Sequence, residues 1–326
     1  MSGKIPRRFT TTSERTDLQR HGRGSLNRYM NSVTDKHHGP LTASLARATA
    51  ILAATLTGLG VIFWLAANWD TLGRIGQFAL LQVSMLACGL AALWHPGWRA
   101  PLSLLLFLLT GGLLANVGQT YQTGADPWQL FALWALLGLP MAWAARHDAL
   151  WAAWALVLMT ALSLWVAANT TRWWHIRDQD ATTYIFAWAL SLLTVGGLSA
   201  PARPWTGAGL WSMRLTLTLT VVAITCTAVS NLLASDGSLL YVLALLALGA
   251  GAVLLSRRDY FDLYGLSGCA LGINVCLVSG LGQLLLDGAR GDMLLVWLLL
   301  GLMAAALLGW TVKMVMQLAR QHGGVA

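Results

Sequence analysis

The sequence predicts an all-α fold, a polytopic transmembrane helical bundle of about ten helices. Hydrophobic residues occupy 56% of the 326 positions and charged residues only 10%, whereas an ordinary soluble domain has about 25% charged residues. Apolar runs of about 20 residues recur along almost the whole chain, and each can cross about 30 Å of hydrocarbon as a helix. Charged residues lie at or beyond the ends of these runs, since one charge at the centre of a membrane helix costs about 2.5–3.5 kcal/mol.

Ten runs meet this length rule. They cover residues 48–68, 76–94, 101–118, 128–145, 149–168, 183–200, 213–234, 238–256, 263–286 and 293–312. A membrane β-barrel would instead need segments of about ten residues that alternate between apolar and polar side chains. The stretch LTLTLT (215–220) does alternate, but it continues into a run that is apolar on every side. We therefore predict a helix there, in which threonine hydroxyls bond to backbone carbonyls of their own helix or across to a neighbour.

Four segments follow from this pattern. Residues 1–41 form a basic, disordered cytoplasmic tail with eight Lys/Arg and three Asp/Glu, a net charge of +5 (8 − 3), and Met30 is an alternative start to Met1. Residues 42–200 and 201–316 contain spans 1–6 and spans 7–10, and 317–326 form a short second tail. Because the basic residues of the first tail border a membrane helix and lack interleaved aromatic side chains, we expect contact with anionic lipids and no nucleic-acid binding.

The distribution of positive charges predicts that both termini are cytoplasmic. In this orientation the cytoplasmic connections hold eight Lys/Arg and the outer connections hold four, which agrees with the positive-inside rule. A 4+4+2 parallel repeat of helices is a further prediction. It depends on the recurrence of WLAAN (64–68) as WVAAN (165–169) and of ARHD (145–148) as SRRD (256–259).

Polar residues interrupt the apolar pattern where the first and third spans end. In the predicted orientation both places face the outside, so we expect them to form one ligand site. The candidate ligand-binding residues are Asn68, Trp69, Asp70, Arg74, Asn116, Gln119, Tyr121, Gln122, Asp126 and Trp128. Each also has a structural interpretation, because Asn and Asp cap helices, Trp prefers the membrane interface, and Pro127 suits the first turn of a helix.

Two blocks carry a family resemblance. Residues 58–74 contain Ala-Ala-Asn-Trp-Asp (66–70), and residues 111–140 contain Gly-Gln-Thr-Tyr followed by Asp-Pro-Trp. Over about residues 45–200 the chain resembles the bacterial membrane protein family called domain of unknown function 2157. The resemblance implies a multi-pass protein of the bacterial inner membrane, and it supplies no catalytic residues.

The motifs searched for give no enzyme signature. GxxxxGK[ST], HExxH and GxSxG do not occur in the sequence, and Gly268-x-x-x-Gly272 is better interpreted as a helix-packing face. The four cysteines lie in apolar runs without metal-ligand spacing, so we expect free thiols that pack in the core, no metal site and no cofactor. Five amides lie deep in the spans and can bridge helices. They are Gln82, Asn116, Asn231, Asn274 and Gln283.

These observations predict an integral inner-membrane protein that binds, senses or acts as a scaffold and is not an enzyme. Its expected partners are membrane lipids and a periplasmic or membrane protein. The alternative is a membrane enzyme or carrier for a lipid-linked or small polar substrate, in which Asp70 and Asp126 act as acid and base or bind a headgroup.

Overall fold

The computed structural model describes residues 45–46, 48–64, 66–121, 124, 126–170, 176, 178–234, 239–288 and 293–323. Within helices, the side chains of six residues are not described: Trp69, Asp70, Asp259, Asp287, Leu295 and His322. The predicted tail, residues 1–41, lies outside the described residues. The chain divides into two compact units, Met1–Ala54 and Thr55–Ala326; the described residues of the first are helical, and the packing below concerns the second.

Every long regular element in the described part of the chain is an α-helix. The helices are α1 (Ala48–Trp64), α2 (Trp69–Trp94), α3 (Arg99–Tyr121), α4 (Pro127–Ala145), α5 (Asp148–Asn169), α6 (Ala181–Leu198), α7 (Arg203–Thr206), α8 (Leu210–Leu233), α9 (Leu239–Leu255), α10 (Leu263–Gly288) and α11 (Met293–Gly323). Eight of the described helices are long and apolar enough to cross a membrane, and α1 and α9 are shorter apolar helices. The all-α membrane class is thus confirmed, while the number of ten spans, the orientation and the repeat remain predictions.

From α2 onward, consecutive long helices pack against each other, and α8 also packs against α5 and α10. The first turn of α8 lies beside the first turns of both α5 and α10, so these three helices run in the same direction. Close packing depends on glycines at the crossings. On α3 and α4, Gly111 lies against the ring of Trp134 and Gly138 against the ring of Phe107, so neither position has room for a Cβ. The indole Nε1 of Trp134 also donates a 2.9 Å hydrogen bond to the carbonyl of Phe107, which joins the same two helices.

One end of the bundle, here called the Asp148 end, contains the α4–α5, α6–α8 and α9–α10 connections. There the carboxylate of Asp148 accepts hydrogen bonds from the backbone N–H groups of Gly209 (2.9 Å), Trp211 (3.0 Å) and Ser212 (3.0 Å). These amides belong to the start of α8 and have no intrahelical partner. A residue of α5 therefore caps α8, and the Trp151 indole donates to the carbonyl of Thr206 nearby (2.8 Å).

Several sequence predictions about single helices are tested by these contacts. The LTLTLT stretch lies in α8, where the hydroxyls of Thr216 and Thr220 donate to the carbonyls four residues earlier, as predicted. Gly272 packs against Thr225, but a Cβ at Gly268 would meet nothing within 4 Å. The predicted packing face is therefore confirmed at Gly272 and wrong at Gly268, because the space beside Gly268 is open and no neighbouring side chain fills it.

The cysteines and amides gave mixed outcomes. All four cysteines are free thiols, but Cys226 is exposed and Cys88 only half-buried, so the expectation that they pack in the core holds fully only for Cys269 and Cys276. Asn274 bridges α10 and α11 through Thr311, with Nδ2 and the threonine Oγ1 3.1 Å apart. Asn231 also bridges, because its side chain joins α8 to the carbonyl of Ile176 and to the backbone N–H of Tyr241 on α9. Gln82, in contrast, is exposed. The bridging prediction is therefore wrong for Gln82, which lies on the outer side of α2.

Candidate functional site

The predicted site lies at the end of the bundle opposite the Asp148 end, here called the Asn68 end. At this end α1 finishes, α2 begins, α3 finishes and α4 begins. Helices α1 and α3 are neighbours, because a Cβ at Gly112 would lie 3.1 Å from Ile62 Cγ1 and a Cβ at Gly58 would lie 2.9 Å from Leu108 Cδ1. The rings of Phe78 on α2 and Tyr121 on α3 lie 6.2 Å apart at the same end. Helices α1, α2 and α3 are thus in direct contact.

Asn68 lies at the break between α1 and α2. Its Nδ2 donates a 2.9 Å hydrogen bond to the carbonyl of Trp64, and it makes no side-chain bond to the first amides of α2. The Asn68 side chain therefore caps the end of α1 and not the start of α2. Asn169 makes the same bond to the carbonyl of Trp165 at the end of α5 (2.8 Å), so the two recurring motifs share one local geometry.

The start of α2 contains a second break, at Gly73. This residue has φ 60° and ψ 167°, a conformation that glycine adopts without the steric cost of a Cβ. The break separates the turn that begins at Trp69 from the long part of α2, and Arg74 follows it with an exposed side chain. The side chains of Trp69 and Asp70 are outside the described set, so their part in the predicted site stays a prediction.

Asn116 is the predicted site residue that lies deepest. It is 2% exposed on α3, its Oδ1 accepts a 3.3 Å hydrogen bond from the hydroxyl of Thr120, and its Nδ2 donates to no acceptor in the described part of the chain. A buried donor without a partner costs about 1–3 kcal/mol. Another buried amide, Gln77 on α2, is also 2% exposed; the sequence analysis missed it, although its position inside an amphipathic stretch near Phe78 was visible.

The other predicted residues lie nearer the surface. Gln119, Tyr121 and Asp126 are exposed, and Trp128 is partly buried. Asp126 occupies the N-cap position of α4 and Pro127 its first position, as expected. The carboxylate of Asp126, however, accepts no hydrogen bond from the first backbone N–H groups of α4. Gln122 lies outside the described residues. The structure thus places the described residues at one end of the bundle, and their meeting in a single pocket with Asp70 stays a prediction.

A polar cluster that the sequence analysis did not recognise as a unit lies at the Asn68 end of the helices α5–α9. Asn231 is fully buried, and its Nδ2 donates to the carbonyl of Ile176 (3.0 Å) and to Asp178 Oδ1 (3.1 Å). Its Oδ1 accepts a 3.3 Å bond from the backbone N–H of Tyr241. All the bonding groups of this amide are therefore used within the chain, in contrast to Asn116. Its position two residues before the end of α8 was the available signal.

Comparison with known proteins bears on the same region. Neither a curated protein nor a solved structure gives a significant match to this chain. A family model does match, over residues 22–151. This segment begins earlier and ends earlier than the resemblance expected over residues 45–200, and it contains all ten predicted site residues. Over residues 22–151, then, the chain matches the family described as predicted membrane protein (DUF2157).

Proposed function

We propose that this multi-pass membrane protein binds a small polar ligand, a lipid headgroup or a partner protein at the Asn68 end, and that it serves as a binding, sensing or scaffold protein. The observation that carries the proposal is the amide of Asn116. It is 2% exposed, yet its Nδ2 has no acceptor among the described residues. An oxygen atom from outside the chain would supply the missing acceptor and remove the cost of about 1–3 kcal/mol.

The surrounding side chains favour a ligand that carries oxygen acceptors. Arg74 and Gln119 are exposed at the same end and can donate hydrogen bonds. Tyr121, which is 65% exposed, adds an aromatic ring beside Phe78. A carboxylate, a phosphate or a carbonyl group would satisfy these donors together. The residues named here all lie inside the segment matched by the family model, residues 22–151.

The cellular location follows from the same observations as a proposal. We infer a bacterial inner membrane, with the Asn68 end on the outer face. Support comes from the apolar helices, from the family match, and from the positions of Arg146, Arg203, Arg214 and Arg257 around the Asp148 end. Positive residues favour the cytoplasmic side of a membrane.

Native mass spectrometry of the protein extracted from its own membrane tests the binding proposal. The wild-type protein should carry an added mass, and Asn116→Leu should lose it. The ligand-free unfolding temperature should stay the same, because the Asn116 amide donates to no acceptor among the described residues of the chain. The matched control is Asn274→Leu. It removes the hydrogen bonds of the Asn274 amide to the carbonyl of Ala270 on the same helix and to the hydroxyl of Thr311 on α11. The control should lower the unfolding temperature and keep the added mass. A protein without added mass, or an Asn116→Leu variant that retains it, would contradict the proposal.

A further inference from the structure

Two apolar grooves lie on either side of α8. Groove A, between α5, α6 and α8, has a volume of about 520 Å³, and groove B, between α8 and α10, has a volume of about 420 Å³. Val222 and Cys226 of α8 line both grooves, and both residues are exposed. The two grooves are therefore separated only by one ridge of α8.

The length of each groove corresponds to one leaflet of a bilayer. On α8 the lining of groove A runs from Leu219 to Ser230 and that of groove B from Leu217 to Cys226. At about 1.5 Å per residue these stretches are about 17 Å and about 14 Å long. Half of a hydrocarbon core of about 30 Å is about 15 Å. A partner helix that spans the membrane would need twice this length, whereas an acyl chain of one leaflet fits it.

Polar groups lie where groove B approaches the Asp148 end. Arg214 is one helical turn before the first lining residues of α8, and its Nη2 donates a 2.8 Å hydrogen bond to Asp262. The ring of Tyr264, which lines the groove, lies 5.2 Å from Arg214 Cζ. The Arg214 side chain is about one-third exposed and its guanidinium has five N–H donors, so it can also bind a phosphate. Trp211, one turn closer to the end, is 77% exposed, as is typical of a membrane interface.

One polar atom of groove B, the hydroxyl of Thr225, has a role within the protein. Thr225 Oγ1 makes no conventional hydrogen bond among the described residues, but it faces Gly272, where a Cβ would lie only 2.8 Å from it. It therefore belongs to the contact between α8 and α10. Gly268, in contrast, lines the groove, and a Cβ there would meet nothing within 4 Å. The space beside Gly268 is open to a ligand.

We propose that an anionic phospholipid binds in groove B, with its phosphate at Arg214 and an acyl chain along the groove. Groove B starts at Leu217, within one turn of Arg214, whereas the lining of groove A on α8 starts at Leu219 and reaches Ser230 near the Asn68 end. The preference for an anionic headgroup follows from the exposed Arg257 and Arg258, which belong to the α9–α10 connection at the same end, since basic residues near the interface attract anionic lipid. This site is independent of the one proposed at the Asn68 end.

The thiol of Cys226 reports on both grooves without any substitution. The purified protein in detergent is treated with an apolar maleimide, alone and with added phosphatidylglycerol or phosphatidylcholine, and the modified cysteines are identified by peptide mass spectrometry. Phosphatidylglycerol should slow the modification of Cys226 at least fivefold more than phosphatidylcholine does. The half-buried Cys88 on α2, outside both grooves, is the internal control and should react at one rate throughout. Equal effects of the two lipids on Cys226, or no effect, would overturn the proposal.

Two glycine variants test the groove itself. Gly268→Leu should fill groove B, and native mass spectrometry should then detect at least fivefold less bound phosphatidylglycerol than for the wild-type protein. Gly249→Leu on α9 is matched, because a Cβ there also meets nothing within 4 Å and the residue lines neither groove. It should bind lipid like the wild-type protein. Equal lipid binding by the two variants would place the phospholipid elsewhere.

Discussion

The backbone N–H of Ser212 on α8 donates a 3.0 Å hydrogen bond to the carboxylate of Asp148, the first residue of α5. Two further amides at the start of α8 donate to the same carboxylate. The pair fixes where α8 begins relative to α5, and it does so between residues 64 positions apart in the sequence. An N-cap normally comes from the residue that precedes the helix, which here is Gly209 and has no side chain.

This geometry predicts that Asp148→Ala lowers the free energy of unfolding by about 2 kcal/mol, because three amides lose their acceptor. Thermal unfolding in detergent measures the effect. Asp126→Ala is the matched control, since Asp126 occupies the N-cap position of α4 without a side-chain bond to it. The control should change the free energy of unfolding by less than about 0.5 kcal/mol. Similar losses in the two variants would contradict the role given to Asp148.

Asn231→Leu should also destabilise the protein, by about 2–3 kcal/mol. The substitution leaves the carbonyl of Ile176 and the N–H of Tyr241 without the partner that they have in the wild-type protein, in a place where Asn231 is fully buried. Asn169→Leu is the comparison, because Asn169 is exposed and bonds only to its own helix. If both variants unfold at the same temperature, Asn231 does not hold these segments together.

The helix positions could be predicted from the sequence because hydrophobic length and charge placement act locally. The ten predicted runs coincide with α1–α6 and α8–α11, and Pro127 begins α4 as expected. Asp148 as the cap of α8 could not be predicted, since it depends on a tertiary contact. The lack of an acceptor for the Asn116 amide among the described residues could not be predicted either. The spacing of residues shows that a polar group is deep, but only the packing of the neighbouring helices shows which acceptors reach it.

The orientation is tested by the accessibility of single cysteines. In a background without native cysteines, Asp126→Cys and Asp178→Cys should react with an impermeant thiol reagent in intact cells, and Trp205→Cys should not. Asp126 and Asp178 lie at the Asn68 end and Trp205 at the Asp148 end, and Asp126 and Trp205 are exposed. The opposite labelling pattern would reverse the orientation that the positive charges predict.

The basic tail is expected to add little to the stability of the membrane part. Deletion of residues 2–29, which contain much of the +5 charge and no pattern for a core, should leave membrane insertion and the unfolding temperature unchanged. Fractionation and thermal unfolding measure the two quantities. Early unfolding or failed insertion of the shortened protein would show that the tail is a structural element.

The central claim is that the amide of Asn116 binds a group that the chain itself does not supply. A high-resolution structure of the protein in lipid nanodiscs prepared directly from its native membrane would test it most directly. The account predicts density from a molecule other than the protein within about 3 Å of Asn116 Nδ2, a normal hydrogen-bond distance. A protein atom as the acceptor, or an Nδ2 enclosed by hydrocarbon side chains alone, would contradict it.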